Sequence, residues 1–67
     1  MNDYSMIIED SANCFYAVRE LADPALAHCF YGIEVKRAAG KFVPKAGSRG
    51  AKARLVRREC TKIIAKL

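Results

Sequence analysis

Apolar and small positions in the first third of the chain recur at three- and four-residue intervals. They are Tyr4, Ile7, Ile8, Ser11, Cys14, Phe15, Val18, Leu21 and Ala22. At about 100° per residue they fall on one stripe, and Asn2 or Asp3 supplies a capping oxygen. This pattern predicts a helix over about 3–22. A strand at 14–21 is disfavoured, because alternation would place Tyr16, Val18 and Glu20 on one face.

A second helix is predicted over 24–39. Asp23 is a good N-cap, and Pro24 suits the first helical position because its missing N–H needs no partner. Leu26, Phe30 and Ile33 would form its apolar stripe. Gly32 argues against a helix here, since glycine costs up to about 1 kcal/mol in a helix interior. The competing interpretation is a strand over 28–35.

Residues 40–50 are predicted to be a basic connection containing glycine and proline. Pro44 disfavours helix at Val43, and Gly47 and Gly50 loosen the chain after it. Beyond this segment, Leu55, Val56, Cys60, Ile63, Ile64 and Leu67 again form one helical stripe. The third predicted helix therefore covers 49–67.

The fold class expected from these patterns is all-α, a single small three-helix domain spanning 1–67. The predicted core is Ile7, Ile8, Phe15, Val18, Leu21, Leu26, Phe30, Ile33, Leu55, Val56, Cys60, Ile63 and Ile64. The alternative is an α+β fold with a hairpin at 28–43 between two helices. With 67 residues, 52% of them hydrophobic, the chain is long enough for one modest core.

Three features predict a cytoplasmic protein without a membrane partner. The apolar runs fall well short of the roughly 20 residues that span a bilayer. The first ten residues contain three acids and no base, unlike a signal peptide. Cys14, Cys29 and Cys60 are odd in number and widely spaced, which favours reduced core thiols over disulfides.

Charge is divided unevenly along the chain. Eleven of the twelve Lys and Arg residues lie at or after Lys36, and six of the seven Asp and Glu residues lie at or before Glu34. The second half therefore attracts polyanions. On the predicted third helix, Arg54, Arg58 and Lys62 would form a row along one face. The predicted binding residues for nucleic acid or an acidic partner are Lys41, Lys45, Arg49, Lys52, Arg54, Arg57, Arg58 and Lys62.

Other chemistry has little support in the sequence. Neighbouring His28 and Cys29 would struggle to share a zinc ion with Cys14 and Cys60, and close ligand pairs are lacking. No metal, cofactor or catalytic residue is expected, so the protein is predicted not to be an enzyme. After Tyr31 the only aromatic residue is Phe42, and no Asn or Gln follows Asn13, which leaves few groups for reading bases.

Two functional hypotheses follow. The first is a non-enzymatic accessory or regulatory protein that binds DNA or RNA, mainly through phosphate contacts. The second is a protein-binding regulator or inhibitor whose basic face docks on an acidic surface of a larger protein, such as a nucleic-acid enzyme. The acidic first segment also allows a homo-oligomer, in which opposite charges on two copies meet.

Overall fold

The computed structural model describes residues 4–45 and 52–67 of the chain. They form six antiparallel strands and two single-turn 3₁₀ helices. The strands are β1 (Met6–Asp10), β2 (Phe15–Glu20), β3 (Cys29–Ala38), β4 (Lys41–Pro44), β5 (Arg54–Arg57) and β6 (Thr61–Lys66). The 3₁₀ turns are Pro24–Leu26 and Arg58–Cys60.

All six strands belong to one sheet that curls back on itself. The order is β4-β3-β2-β1-β6, and β5 pairs with the first half of β3 while β4 pairs with the second half. The 3₁₀ turn Arg58–Cys60 joins β5 directly to β6, which pairs with β1. The strand pairings and this short link therefore close a ring, so the sheet cannot be flat.

The predicted all-α fold is wrong. The described residues contain no helix longer than three residues, so the helices expected at 3–22, 24–39 and 49–67 are absent from them. Met6, Ile7 and Ile8 show the physical reason, since all three are buried in consecutive positions of β1. A strand buried on both faces loses its two-residue alternation, and the remaining apolar spacing resembles a helical stripe.

Apolar side chains are buried on both faces of the sheet. One cluster contains Met6, Ile8, Tyr16, Val18, Phe30 and Val56. The cluster on the opposite face contains Ile7, Ala17, Ile33 and Val35, with Phe15 and Phe42 packed beside it. The strand at 14–21, which the sequence pattern disfavours, is present as β2. Its Tyr16 and Val18 do share one face with Glu20, but Glu20 lies at the exposed end of the strand.

The second predicted helix begins as expected and then stops. The Asp23 carboxylate accepts a hydrogen bond from the N–H of Ala25 (2.9 Å), and Pro24 takes the first position of the 3₁₀ turn. The chain then enters β3, where Gly32 lies against Val18 of β2. The hairpin in the alternative α+β fold corresponds to β3 and β4, but its two flanking helices are absent from the described residues.

The third predicted helix is replaced by β5 and β6. Val56 is buried, but Leu55 and Ile63, both assigned to the predicted core, are 48% and 51% exposed. The β1–β6 register shifts between Ile7 and Ile8, which leaves Ile64 without a directly opposite residue. The helical spacing of Leu55, Ile63 and Ile64 in the sequence therefore did not indicate burial. Neither 3₁₀ turn in the described part of the chain is long and apolar enough to cross a membrane.

A two-residue turn connects β3 to β4. Ala38 pairs with Lys41, and the intervening Ala39 and Gly40 both have positive φ, 52° and 77°. Two positive φ values define the type I′ turn, whose twist matches that of the two strands. The predicted connection at 40–50 is therefore a strand at Lys41–Pro44, and residues 46–50 of it lie outside the described residues.

Candidate nucleic-acid interface

The row Arg54, Arg58 and Lys62 expected on a helix face is not formed. Arg54 lies on β5, Arg58 begins the second 3₁₀ turn, and Lys62 lies on β6. Arg54 and Arg58 lie over rings of the first apolar cluster. Lys62 instead pairs with Glu9 on the face of the second cluster, so the three side chains do not share one face. Of the other predicted residues, Lys41 and Lys45 lie at β4, Lys52 precedes β5, Arg57 ends it, and Arg49 lies outside the described residues.

Carboxylates from the acidic first half lie beside several of these bases. The ion pairs are Lys45–Glu34 (3.0 Å), Arg58–Glu20 (3.3 Å), Lys62–Glu9 (3.5 Å) and, within the second half, Arg57–Glu59 (2.6 Å). Exposed pairs of this kind contribute at most about 1 kcal/mol. They nevertheless neutralise local charge, so the division of charge along the sequence is much weaker in space.

Arg54 is held in a polar network rather than presented to solvent alone. Its guanidinium lies over the ring of Tyr16, 4.9 Å from the centroid, and donates a hydrogen bond to the Tyr16 hydroxyl. That hydroxyl donates in turn to the carboxylate of Asp10 (3.1 Å). Burial, followed by this bond to Asp10, raises the pKa of Tyr16. Arg54 therefore has a structural role beside the first apolar cluster.

Asp10 organises the turn between β1 and β2. Its Oδ1 accepts hydrogen bonds from the N–H groups of Ala12 (3.0 Å) and Cys14 (2.9 Å). Burial alone would raise the pKa of Asp10. The bonds from Cys14, Tyr16 and Ala12, with the positive charge of Arg54, outweigh burial and hold the pKa below its usual value.

Arg58 is also engaged by the fold. Its guanidinium lies 4.7 Å from the ring centroid of Phe30, and its backbone N–H donates to the carbonyl of His28 (2.9 Å). The Nε atom is buried and has no hydrogen-bond partner in the described part of the chain. Removing Arg58 would therefore disturb packing over Phe30 as well as charge.

The β3–β4 hairpin carries a row of three lysines. Lys36 lies opposite Val43, and Ala38 lies opposite Lys41, so Lys36 and Lys41 share one face. Lys45 follows β4 on that face, where its N–H bonds the Glu34 carbonyl and its Nζ bonds the Glu34 carboxylate. We call Lys36, Lys41 and Lys45 the lysine face. The hydrogen bond from Lys45 to Glu34 and the charge of Glu34 raise the pKa of Lys45.

The opposite face of the hairpin carries two aromatic rings and an arginine. Phe15 and Phe42 have centroids 5.4 Å apart and an interplanar angle of 56°. The Arg37 guanidinium lies 5.5 Å from the centroid of Phe15 and 5.0 Å from that of Phe42. Both rings are half-buried, and Arg37 is exposed. We call Phe15, Arg37 and Phe42 the aromatic face.

A shallow depression of about 200 Å³ joins the two faces of the hairpin. Lys36 and Lys45 border it from the lysine face, and Phe15 and Arg37 border it from the aromatic face. Asn13, at the β1–β2 turn, adds an amide group to its rim. Small-molecule sites usually exceed roughly 300 Å³, so the depression suits a small part of a longer ligand.

Lys36, Arg37 and Phe15 are not among the binding residues that the sequence predicts. The helical pattern places Lys36 and Arg37 at the basic end of a helix and Phe15 in the core. The strand interpretation of 28–43 contained the missing signal. A two-residue turn at Ala39 and Gly40 places bases on both faces of a hairpin, although nothing local to the hairpin indicates that Phe15 packs against Phe42.

The three thiols and the histidine do not form a metal site. Cys14 is half-buried, Cys29 is buried and Cys60 is exposed, and all three are free thiols. Within residues 4–45 and 52–67, no group of three His, Cys, Asp or Glu side chains is placed to hold an ion.

Comparisons with known proteins add no functional information. The chain has no significant match among protein-family models, curated proteins or solved structures. Any functional argument therefore depends on the geometry and charge of the described residues.

Proposed function

We propose that the protein is a non-enzymatic nucleic-acid-binding accessory or regulatory protein that contacts mainly the phosphate backbone. The observation that carries the proposal is the unneutralised charge of the β3–β4 hairpin. Lys36, Arg37 and Lys41 are exposed and form no ion pair with any carboxylate of the described residues. Phosphate oxygens would supply the missing negative charge and release counterions from the nucleic acid.

The geometry of the hairpin supports contact with an extended polyanion. Lys41 and Lys45 lie diagonally across the strand pair from Lys36, at the roughly 7–8 Å separation typical of such neighbours. Lys36 and Lys41 repel each other when no ligand is present, whereas the charge of Lys45 is offset by Glu34. A row of phosphates would relieve that repulsion, which favours binding over a role as ordinary solvated surface.

The net charge of +5 supports the same proposal at long range, because it speeds association with a polyanion. We also place the protein in the cytoplasm. The support for this location is that all three cysteines are unpaired, which is typical of a reducing compartment.

The proposal is tested by the salt dependence of binding. We compare the wild type with the double variant K36A/K41A, using the same labelled oligonucleotide across a series of salt concentrations. Each lost phosphate contact should lower the slope of log affinity against log salt by about 0.7–0.9. The double variant should therefore lose about 1.4–1.8 of slope, taking two contacts at the same value each.

The matched control is R57A/K62A, which removes two exposed charges that are already paired with Glu59 and Glu9. Both double variants change the net charge equally, so a non-specific charge effect would lower both slopes alike. An equal loss of slope would contradict the hairpin as the contact surface. No measurable binding by the wild type would contradict the proposal itself.

The competing function is a regulator that docks its basic surface on an acidic protein. This function predicts that the folded protein still captures one specific partner after nuclease treatment, while purified oligonucleotides bind weakly at every salt concentration. That pair of results would replace the nucleic-acid proposal.

A further inference from the structure

We infer that the ligand of the hairpin is a single-stranded nucleic acid, with one base stacked on the aromatic face. This inference rests on the proposed function and narrows the class of nucleic acid. It uses the aromatic face and the depression, which phosphate binding alone does not require.

Arg37 lies over two aromatic rings, where its guanidinium is available as a stacking surface. Its guanidinium is within 5.5 Å of two ring centroids, those of Phe15 and Phe42, and it has no carboxylate partner in the described chain. An arginine fixed over aromatic rings loses little further freedom on binding. Unpaired bases stack on aromatic rings and on guanidinium planes, whereas bases inside a duplex are already stacked.

Stacking groups and cations border the same depression. Its border includes Phe15 and Arg37 from the aromatic face and Lys36 and Lys45 from the lysine face. Glu34 also borders it, with its carboxylate paired to Lys45, so that Lys36 is the lysine left free for a phosphate. A single nucleotide has an apolar base at one end and a phosphate at the other. The arrangement therefore matches one nucleotide of a strand that crosses the hairpin, and Asn13 at the rim offers an amide to a base edge.

The hairpin lacks the side chains that sequence-specific contact with a duplex would need. Reading a major groove takes side chains such as Asn, Gln or Arg directed at base edges from an inserted element. On the hairpin, Arg37 instead lies over Phe15 and Phe42, and the other polar groups are lysines, which suit phosphates. The single strand is therefore the better match.

The experiment measures the affinities of the full chain for three labelled probes of one sequence. The probes are single-stranded DNA, single-stranded RNA and the DNA duplex, each at fixed salt. The inference predicts that at least one single strand binds about tenfold or more tightly than the duplex. The two single-stranded probes also show whether the ribose hydroxyl contributes to binding.

Two variants test the stacking directly. R37K keeps the charge but loses the planar guanidinium, and F42L keeps the bulk but loses the ring. Loss of one stacked base corresponds to about 1–3 kcal/mol, so each variant should weaken single-strand binding about five- to hundredfold. The salt slope should change little, because no phosphate contact is lost. A thermal melt of each variant checks that the fold is retained.

The matched control is R19K. Arg19 lies 5.2 Å from the ring centroid of Tyr31, in a similar exposed pair at the opposite end of β2 from Phe15. This control should bind like the wild type. Equal affinity for duplex and single strands, or equal affinity of R37K and R19K, would overturn the inference while the proposed function stands. Failure to bind any of the three probes would overturn both.

Discussion

Asp10 shows how one side chain shapes a large part of this small molecule. It ends β1, accepts two backbone hydrogen bonds in the following turn, and accepts a third from the hydroxyl of Tyr16. Through Tyr16 it also fixes the position of Arg54. The turn places Asn13 with φ of 65°, a conformation that asparagine tolerates better than most residues.

Replacing Asp10 with Asn should lower the free energy of unfolding by about 1–2 kcal/mol at pH 7, because the amide removes the negative charge near Arg54 and cannot replace all three charge-assisted hydrogen bonds that the carboxylate accepts. The pKa of Asp10 is lower in the folded state than in the unfolded state. The stabilisation that the Asp10 carboxylate provides is therefore complete above the unfolded-state pKa and is lost as the pH falls through the folded-state pKa. Urea denaturation should therefore show a difference between D10N and wild type that shrinks below about pH 4.

The control for this prediction is D23N. Asp23 caps a 3₁₀ turn through one backbone hydrogen bond, and asparagine caps about as well. D23N should therefore differ little from wild type at either pH. A D10N penalty that stays constant between pH 7 and pH 3 would contradict the role assigned to the Asp10 charge.

Gly32 is required because β3 passes close to β2. A Cβ atom at this position would lie 2.7 Å from both Cα and Cγ1 of Val18, and would also collide with the carbonyl oxygen of Ala17. Since two of these atoms belong to the backbone, the strands would have to separate. We expect G32A to lower the free energy of unfolding by about 3 kcal/mol or more.

Gly40 provides the comparison for Gly32. A Cβ at Gly40 would meet no atom within 4 Å, and only its positive φ of 77° disfavours alanine. Denaturant melts should show a loss of about 1–2 kcal/mol for G40A. A G32A variant no less stable than G40A would show that the two strands do not approach as closely as described.

At the scale of the element, the β3–β4 hairpin has one residue that is poorly suited to its turn. Ala39 has φ of 52°, a left-handed conformation that costs alanine about 1 kcal/mol, whereas Asn-Gly is the preferred type I′ sequence. A39N should therefore raise the free energy of unfolding by about 0.5–1 kcal/mol. A38N is the control, since Ala38 is in a strand and should gain nothing. A neutral or destabilising A39N would contradict the turn type.

The elements also show what the sequence could and could not predict. The start of a helical turn at Asp23 and Pro24 was predicted correctly, because N-capping depends only on adjacent residues. The strand type of β1 was not, because Met6, Ile7 and Ile8 are buried on both faces and leave no alternation to detect. Apolar character alone was enough to identify part of the core. Six residues of the predicted core are buried: Ile7, Ile8, Val18, Phe30, Ile33 and Val56.

The candidate site was harder to predict from the sequence than the core. The C-terminal bases were chosen because the opposite charges lie far away in sequence. Strand pairing brings Glu9 to Lys62 and Glu34 to Lys45, so distance along the chain misrepresents distance in space. The contact between Phe15 and Phe42 also depends on the order of β2, β3 and β4, which no local pattern specifies.

At the scale of the whole molecule, the proposal depends on where positive charge remains unpaired. In the β5–β6 segment Arg57, Arg58 and Lys62 lie beside carboxylates, and Arg54 is bonded to Tyr16. Lys66 on β6, and Lys52 before β5, have no carboxylate partner among the described residues. The hairpin has Lys36, Arg37 and Lys41 with no such partner among the described residues. A polyanion should therefore approach the hairpin first.

The most direct test is an NMR titration of isotope-labelled protein with an oligonucleotide, in which the backbone amide signal of each residue is monitored. Our account predicts that the largest shifts occur in residues 36–45 and at Phe15, with small shifts in β5 and β6. Shifts concentrated at Arg54, Arg57, Arg58 and Lys62, with the hairpin unchanged, would contradict it.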